Sequence, residues 1–395
     1  MLFHFSEEDE RLRDEIRAFL DQEFPPERQI KAIAEQHENQ DHIDLEWERS
    51  FRRQLGARGW LGLGIPQEYG GSGGTALQRH IFASEMSYYG APYPRNPVQV
   101  IAPAIMAYGS EELKHHFLPL IARGEINISF GYTEPEAGTD LASLRTRARR
   151  DGDDYVISGQ KIFTTRAHRA EYVYLAARTS TDGKPHDGIS LFLVPLSDPN
   201  VVVEQLPVLG GRTNITYYDN VRIPALNLIG QENEGWLYLR HSLGLERLGV
   251  FPVGHIRRLV EELTAEAHRP LPDGTVPIES PSVRQSVADV QTDLALLQAL
   301  TDGALVEIFE TGNLQVHVAA QIKTFLTEFK QRIADIGMEI FGPYGQLTED
   351  SSGAPLDGLM EEMWRDAIVH TYGAGANEVQ RDMIAARGLG LPRSR

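Results

Sequence analysis

Leu239, Leu243, Glu246, Val250 and Val253 follow the spacing i, i+4, i+7, i+11 and i+14, which places them on one face of a helix. The lone carboxylate in that apolar stripe is the first candidate for chemistry. Ser242, Leu243, Gly249 and Val250 stand three and four residues from Glu246, so no basic neighbour makes it half of a helical surface ion pair. A buried carboxylate without a cation is costly, or is driven to a higher pKa, which suits a proton-abstracting base near neutral pH. The structural alternative is a buried pair with a distant arginine such as Arg257 or Arg365. A second candidate is the segment Phe130 to Asp140, whose Gly138-Thr139-Asp140 step is either an ordinary turn or a cradle for a phosphate or polar heterocycle. The 13 histidines are scattered, and no His or carboxylate group has ligand spacing, so no metal is expected. The glycines from Gly70 to Gly74 do not form a nucleotide loop and imply a plain connection.

These groups must be held by three kinds of texture. Ser6 followed by Glu7, Glu8 and Asp9 marks a capped helix start, and helical patterns recur at Leu45–Leu55, Leu77–Tyr89 and Glu111–Ile121. Short β-branched and aromatic runs follow: Tyr155–Ile157, Tyr172–Leu175, Ile189–Val194, Val201–Val203 and Thr216–Tyr218. Long helical patterns then return over roughly 236–264, 283–310 and 314–341, with a short one at 377–387. This order predicts an α+β fold with an N-terminal helical domain (1–125), a middle β domain (126–235) and a C-terminal helical bundle (236–395).

A chain of 395 residues exceeds what one core serves. The formal charge of -18, from 56 acidic and 38 basic residues, disfavours nucleic acid and anionic lipid as partners. With 0 cysteines, neither disulfides nor thiolate chemistry is available. The N-terminus has neither a signal nor a transit pattern, and no apolar run reaches a span of about 20 residues, so a cytoplasmic protein is expected.

Thr133-Glu134-Pro135-Glu136-Ala137-Gly138-Thr139-Asp140, followed by Gly159-Gln160-Lys161-Ile162-Phe163-Thr164-Thr165, resembles the two flavin-contacting segments of acyl-CoA dehydrogenases. The likeness extends to Ile65-Pro66, Glu68-Tyr69-Gly70-Gly71, Val221-Arg222-Ile223-Pro224 and Glu378-Val379-Gln380-Arg381, and so covers nearly the whole chain. It implies that family's fold, an FAD cofactor and an acyl-CoA substrate. On the same likeness Tyr132, Thr133, Phe163 and Thr165 line the isoalloxazine ring, and Gly138 and Thr139 sit beside the flavin or the acyl-CoA pyrophosphate.

Ala374 stands where medium- and short-chain relatives carry their catalytic glutamate. Isovaleryl- and long-chain-type members carry the base on an earlier helix, in a Glu-Arg pair that Glu246-Arg247 matches. The resemblance therefore makes Glu246 the base, with Thr139, Arg247 and Ala374 on the substrate side. In the family a backbone N–H of the loop helps hold the thioester oxygen, and an alanine keeps that N–H. The implied reaction removes an α-proton, passes the β-hydride to flavin and leaves a 2,3-enoyl thioester, with electron-transfer flavoprotein as the acceptor. The small loop Gly373–Ala376 makes room for a branched, cyclic or steroid-derived acyl group.

Relatives complete each flavin site with an Arg-x-x-Phe-Gly and a Gln-x-x-Gly-Gly element from a neighbouring subunit. Here those regions read Arg269-Pro270-Leu271-Pro272-Asp273-Gly274 and Glu339-Ile340-Phe341-Gly342-Pro343, and an acid beside a flavin diphosphate repels it. This favours a heterotetramer with a related chain, as in actinobacterial steroid side-chain dehydrogenases, a group that the ending Arg387–Arg393 also resembles. A homotetramer or dimer is the other assembly. Rival readings are a non-catalytic partner subunit, an oxidase, and a dehydrogenase of carrier-protein thioesters.

Overall fold

The computed structural model describes residues 5–24, 43–248, 253–311 and 314–392, with only the backbone of 245–248 and 309–310. In chain order the first helices are α1 (Glu7–Glu23), α2 (Leu45–Ala57), α3 (Ala76–Tyr89), α4 (Ala102–Tyr108) and α5 (Glu111–Ala122). The strands are β1 (Ile128–Gly131), β2 (Arg147–Asp151), β3 (Asp154–Lys161), β4 (Tyr172–Arg178), β5 (Ile189–Pro195), β6 (Val201–Val208), β7 (Gly211–Pro224) and β8 (Leu228–Ile229). The remaining helices are α6 (Gly235–Leu248), α7 (Gly254–Glu266), α8 (Pro281–Thr311), α9 (Val316–Phe341), α10 (Leu359–Asp366) and α11 (Asn377–Met383). Helix, sheet and helix thus follow one another as the α+β reading requires. One expectation fails: the pattern over 236–264 is two helices, and Val253 caps the second instead of extending the stripe of the first. Among the described residues no helix is long and apolar enough to cross a membrane.

The chain forms two compact units. One comprises residues 41–79 and 93–249 and contains the sheet, in the order β6-β7-β3-β2-β4-β5-β8, with β1 beside β4. Every residue of β5 from Ile189 to Val194 is buried, so both faces are covered and the strand reads as one apolar run. Tyr155, Ile157, Val173, Leu175, Phe192 and Val221 form the core on one side of this sheet. Helix α6 is tied to the sheet by a hydrogen bond between Ser242 and the Tyr174 hydroxyl at 3.1 Å.

The other unit comprises residues 1–40, 80–92 and 250–395. Its first helix begins with a capping box: the Ser6 hydroxyl accepts from the Asp9 N–H, and the Ser6 N–H donates to the Asp9 carboxylate. Helix α9 carries two lysines inward. Lys330 meets Asp366 at 3.2 Å, and Asp366 also accepts from His370 at 2.9 Å. Burial alone would raise the Asp366 carboxyl, but His370 and Lys330 overcome it and hold it at about 2, below the ordinary 3.8. A depressed carboxyl stabilises the fold above its ordinary value, and that contribution is lost as pH falls towards 2. Asp366→Asn is therefore expected to lose about 2 kcal/mol at pH 6, with the gap from wild type closing between about pH 4 and pH 2, as read by denaturant titration at each pH.

Candidate active site

In the sheet-bearing unit, the end of β1 and the end of β3 are laced together. The Ile162 N–H donates to the Thr133 carbonyl at 2.9 Å. Lys161 Nζ donates to the Tyr132 carbonyl at 3.0 Å and to Glu134 Oε1 at 2.7 Å. The other bonds of Glu134 come from the Arg145 N–H at 2.6 Å and the Thr146 N–H at 2.8 Å. Lys161 is 0% exposed, and burial pushes its ammonium down to about 8 although Glu134 opposes the shift. Burial acts on Glu134 in the raising direction, but Lys161 and the two backbone donors carry it below the usual carboxylate range. Sequence reasoning missed this pair. Its signal was a lysine at the inward parity of β3, in step with Tyr155 and Ile157.

Lys161 thereby fixes Tyr132, whose ring stacks on Phe130 at 5.1 Å and meets Tyr174 edge-on at 5.9 Å. Glu134 and Ala137 bond to each other through both backbone groups at 3.1 Å, closing a small turn. That turn delivers Gly138 and Thr139 to the surface, and a Cβ built on Gly138 meets nothing within 4 Å.

After β3 the chain turns through Phe163 and Arg166, both left-handed, with φ of 59° and 61°. Phe163 is 54% exposed although its neighbour Thr164 is fully buried. Thr164 is held by its N–H to the Asn214 carbonyl at 2.9 Å, and the Thr165 hydroxyl lies 3.3 Å from that of Thr213. An outward aromatic ring on a fixed turn, threonine hydroxyls beside it and an open glycine fit a planar heterocycle carrying a diphosphate.

Helix α6 places Glu246 one turn after Ser242, the residue that bonds to Tyr174. The side chains of Glu246 and Arg247 lie outside the described residues. Arg365 bonds to Glu361 at 2.7 Å and Arg257 lies 3.6 Å from Glu261, and a pairing of either with Glu246 lies outside the described residues.

In the other unit the loop Tyr372–Ala376 is held at both ends. Gln380 Nε2 donates to the Gly375 carbonyl at 3.2 Å, and Lys323 Nζ donates to the Thr371 carbonyl at 3.2 Å and to Asn377 Oδ1 at 2.7 Å. Between these anchors Ala374 takes a left-handed φ of 53°. No acceptor among the described residues receives its N–H. Glu339 and Arg269, in the altered subunit elements, are both exposed.

Comparison with known proteins agrees along the whole chain. Profiles described as acyl-CoA dehydrogenase N-terminal, middle and C-terminal domain match residues 6–125, 129–221 and 233–389. Acyl-CoA dehydrogenase FadE29 of Mycobacterium tuberculosis is 36% identical over 100% of this chain and 99% of its own. The solved Tcur3481-Tcur3483 steroid ACAD has a TM-score of 0.90 at 36% identity, with 100% of both chains covered. The ChsE4-ChsE5 complex from Mycobacterium tuberculosis has a TM-score of 0.87 at 37% identity, again with 100% of both chains covered. With all three domains matched in order and full-length relatives above 30% identity, the chain belongs to the acyl-CoA dehydrogenase family of FAD-dependent oxidoreductases.

Proposed function

We propose that the chain dehydrogenates a steroid-derived, or otherwise branched or cyclic, acyl-CoA to its 2,3-enoyl thioester, with Glu246 as the base, in an assembly shared with a related chain. Full-length likeness to the Tcur3481-Tcur3483 steroid ACAD carries the substrate class. Two-chain names, there and in the ChsE4-ChsE5 complex, support the shared assembly. So do Trp364, Ile368 and Tyr372, large apolar side chains left about half exposed in the unit that carries the helical bundle. Electron-transfer flavoprotein is the proposed acceptor, and the cytoplasm the proposed compartment.

In this reading Tyr132, Thr133, Phe163 and Thr165 form the face for the flavin ring, and Gly138 and Thr139 lie by a diphosphate, of flavin or of CoA. FAD, when bound, accepts the β-hydride. Glu246 takes the α-proton, a transfer that requires a carboxylate not already committed to an arginine. The Ala374 N–H has no acceptor of its own among the described residues, which suits the family role of a loop N–H as donor to an oxygen that develops negative charge. Arg247 and Thr139 orient the substrate, and the side chains of Gly373–Ala376 leave room for a ring.

The chain produced alone is expected to be colourless, or to hold less than one flavin per subunit, and to gain a visible flavin spectrum when co-produced with its partner chain. Ring-bearing acyl-CoA should bleach that spectrum. One flavin per subunit in the isolated chain would remove the shared site, comparable turnover restricted to straight-chain thioesters would remove the substrate class, and colourless protein throughout would make this a non-catalytic subunit.

A further inference from the structure

We propose that Glu48, on helix α2, is a positioning residue for the flavin-facing turn Phe163–Arg169; the proposal rests on the assignment of Phe163 and Thr165 to the flavin face.

A left-handed conformation costs an L-residue about 1–2 kcal/mol, so a turn with two such residues persists only where its surroundings over-determine it. On one side the sheet supplies those constraints. Thr164 bonds to Asn214, and the Ser129 hydroxyl donates to the Thr165 carbonyl at 2.9 Å. On the side facing helix α2, the carboxylate among the described residues that both turn arginines meet is Glu48. One Glu48 oxygen accepts from the Arg166 guanidinium, and the other accepts from Arg169 Nη1 at 2.5 Å. Arg169 also donates to the Ile43 carbonyl, in the segment that leads into α2. Glu48 is 7% exposed and Arg169 is 8% exposed, so these bonds compete little with water.

The pairing is crosswise. Of the three arginines of helix α2, Arg49 and Arg52 reach Glu171, which directly precedes β4, and Arg49 also meets Glu46 of its own helix. Glu48 goes instead to the two arginines of the turn. Both of its oxygens are spent on the last left-handed residue of the turn and on the residue three further on. His168 still meets Asn214 at 3.3 Å, but removing the Glu48 charge releases Arg166 and Arg169 from their shared partner, and the Phe163 ring and Thr165 hydroxyl lose part of what fixes their direction. Glu171 supplies an internal control, since it ties the same helix to the start of β4 without bonding to residues 163–169.

The test compares Glu48→Gln, Glu171→Gln and Phe163→Ala in the assembly that retains flavin, whether the chain alone or with its partner chain. Hydrogen exchange at residues 163–169, the flavin dissociation constant and the visible circular dichroism of the bound flavin are measured. Glu48→Gln is expected to speed exchange across 163–169 and weaken flavin binding, each about tenfold, and to change the dichroism. Glu171→Gln is expected to lower thermal stability while leaving all three readings at the wild-type level. Arg166→Met, which removes the turn's end of the same contact, should reproduce Glu48→Gln and decides the matter if Glu48→Gln does not fold. The proposal is overturned if the Glu48 and Glu171 variants move the flavin readings alike, or if neither does while Phe163→Ala weakens flavin binding. If Phe163→Ala leaves the flavin untouched, the flavin face itself is wrongly assigned and the proposal falls with it.

Discussion

Glu246→Gln is expected to keep its flavin and to lose reduction by acyl-CoA by a factor of about 10²–10⁴, the range associated with a positioned general base. The amide has the size of the carboxylate but cannot take a proton, so the loss belongs in the chemical step and not in substrate affinity. The position follows from the helix: Ser242 anchors α6 to Tyr174, Tyr174 meets the ring of Tyr132, and Glu246 comes one turn after Ser242. Ala374, the loop position that serves other relatives, has no carboxylate to substitute. Stopped-flow absorbance at the flavin band checks the prediction. A variant that is bleached at the wild-type rate would mean that another residue is the base.

Lys161→Met is expected to destabilise the fold by about 3–5 kcal/mol, because it leaves the Glu134 carboxylate buried without its cation. It also releases the Tyr132 carbonyl, so weaker flavin retention should accompany the loss of stability. Adding Glu134→Gln should recover part of it. The glutamine oxygen can still accept from the Arg145 or Thr146 N–H, and no uncompensated charge remains. Denaturant titrations of wild type, the single variants and the double variant measure the coupling. Additive single effects would show that Lys161 and Glu134 act independently, contrary to their 2.7 Å contact.

Much of the fold was legible because strand and helix periodicities were strong where burial is one-sided or complete. Five strand runs and the capped helix at Ser6 lie where the pattern placed them. Strand β2 escaped because Arg147-Ala148-Arg149-Arg150-Asp151 buries only Ala148, and its pairing with β3 is a matter of backbone bonds. Helix α4 and the preceding turn were hidden by Pro94, Pro97 and Pro103, which read as loop yet fall where a missing N–H is tolerated. The break after α6 was invisible because apolar spacing simply continued across it. At the candidate site, the two motifs pointed to the residue types now proposed for the flavin face. The Glu134–Lys161 and Glu48–Arg166 contacts join residues 27 and 118 positions apart, and no local pattern encodes such pairs.

That long span has a consequence for biogenesis. Helix α2 leaves the ribosome well before the turn at Phe163–Arg169, so Glu48 spends that interval without the arginines it later holds. The turn meets Glu48 only after a loop of 118 residues has closed, a non-local step that proceeds slowly compared with helix formation. On the proposed assignment of the flavin face, competence to take up the cofactor arrives late in folding, after the contact between Glu48 and the turn has formed.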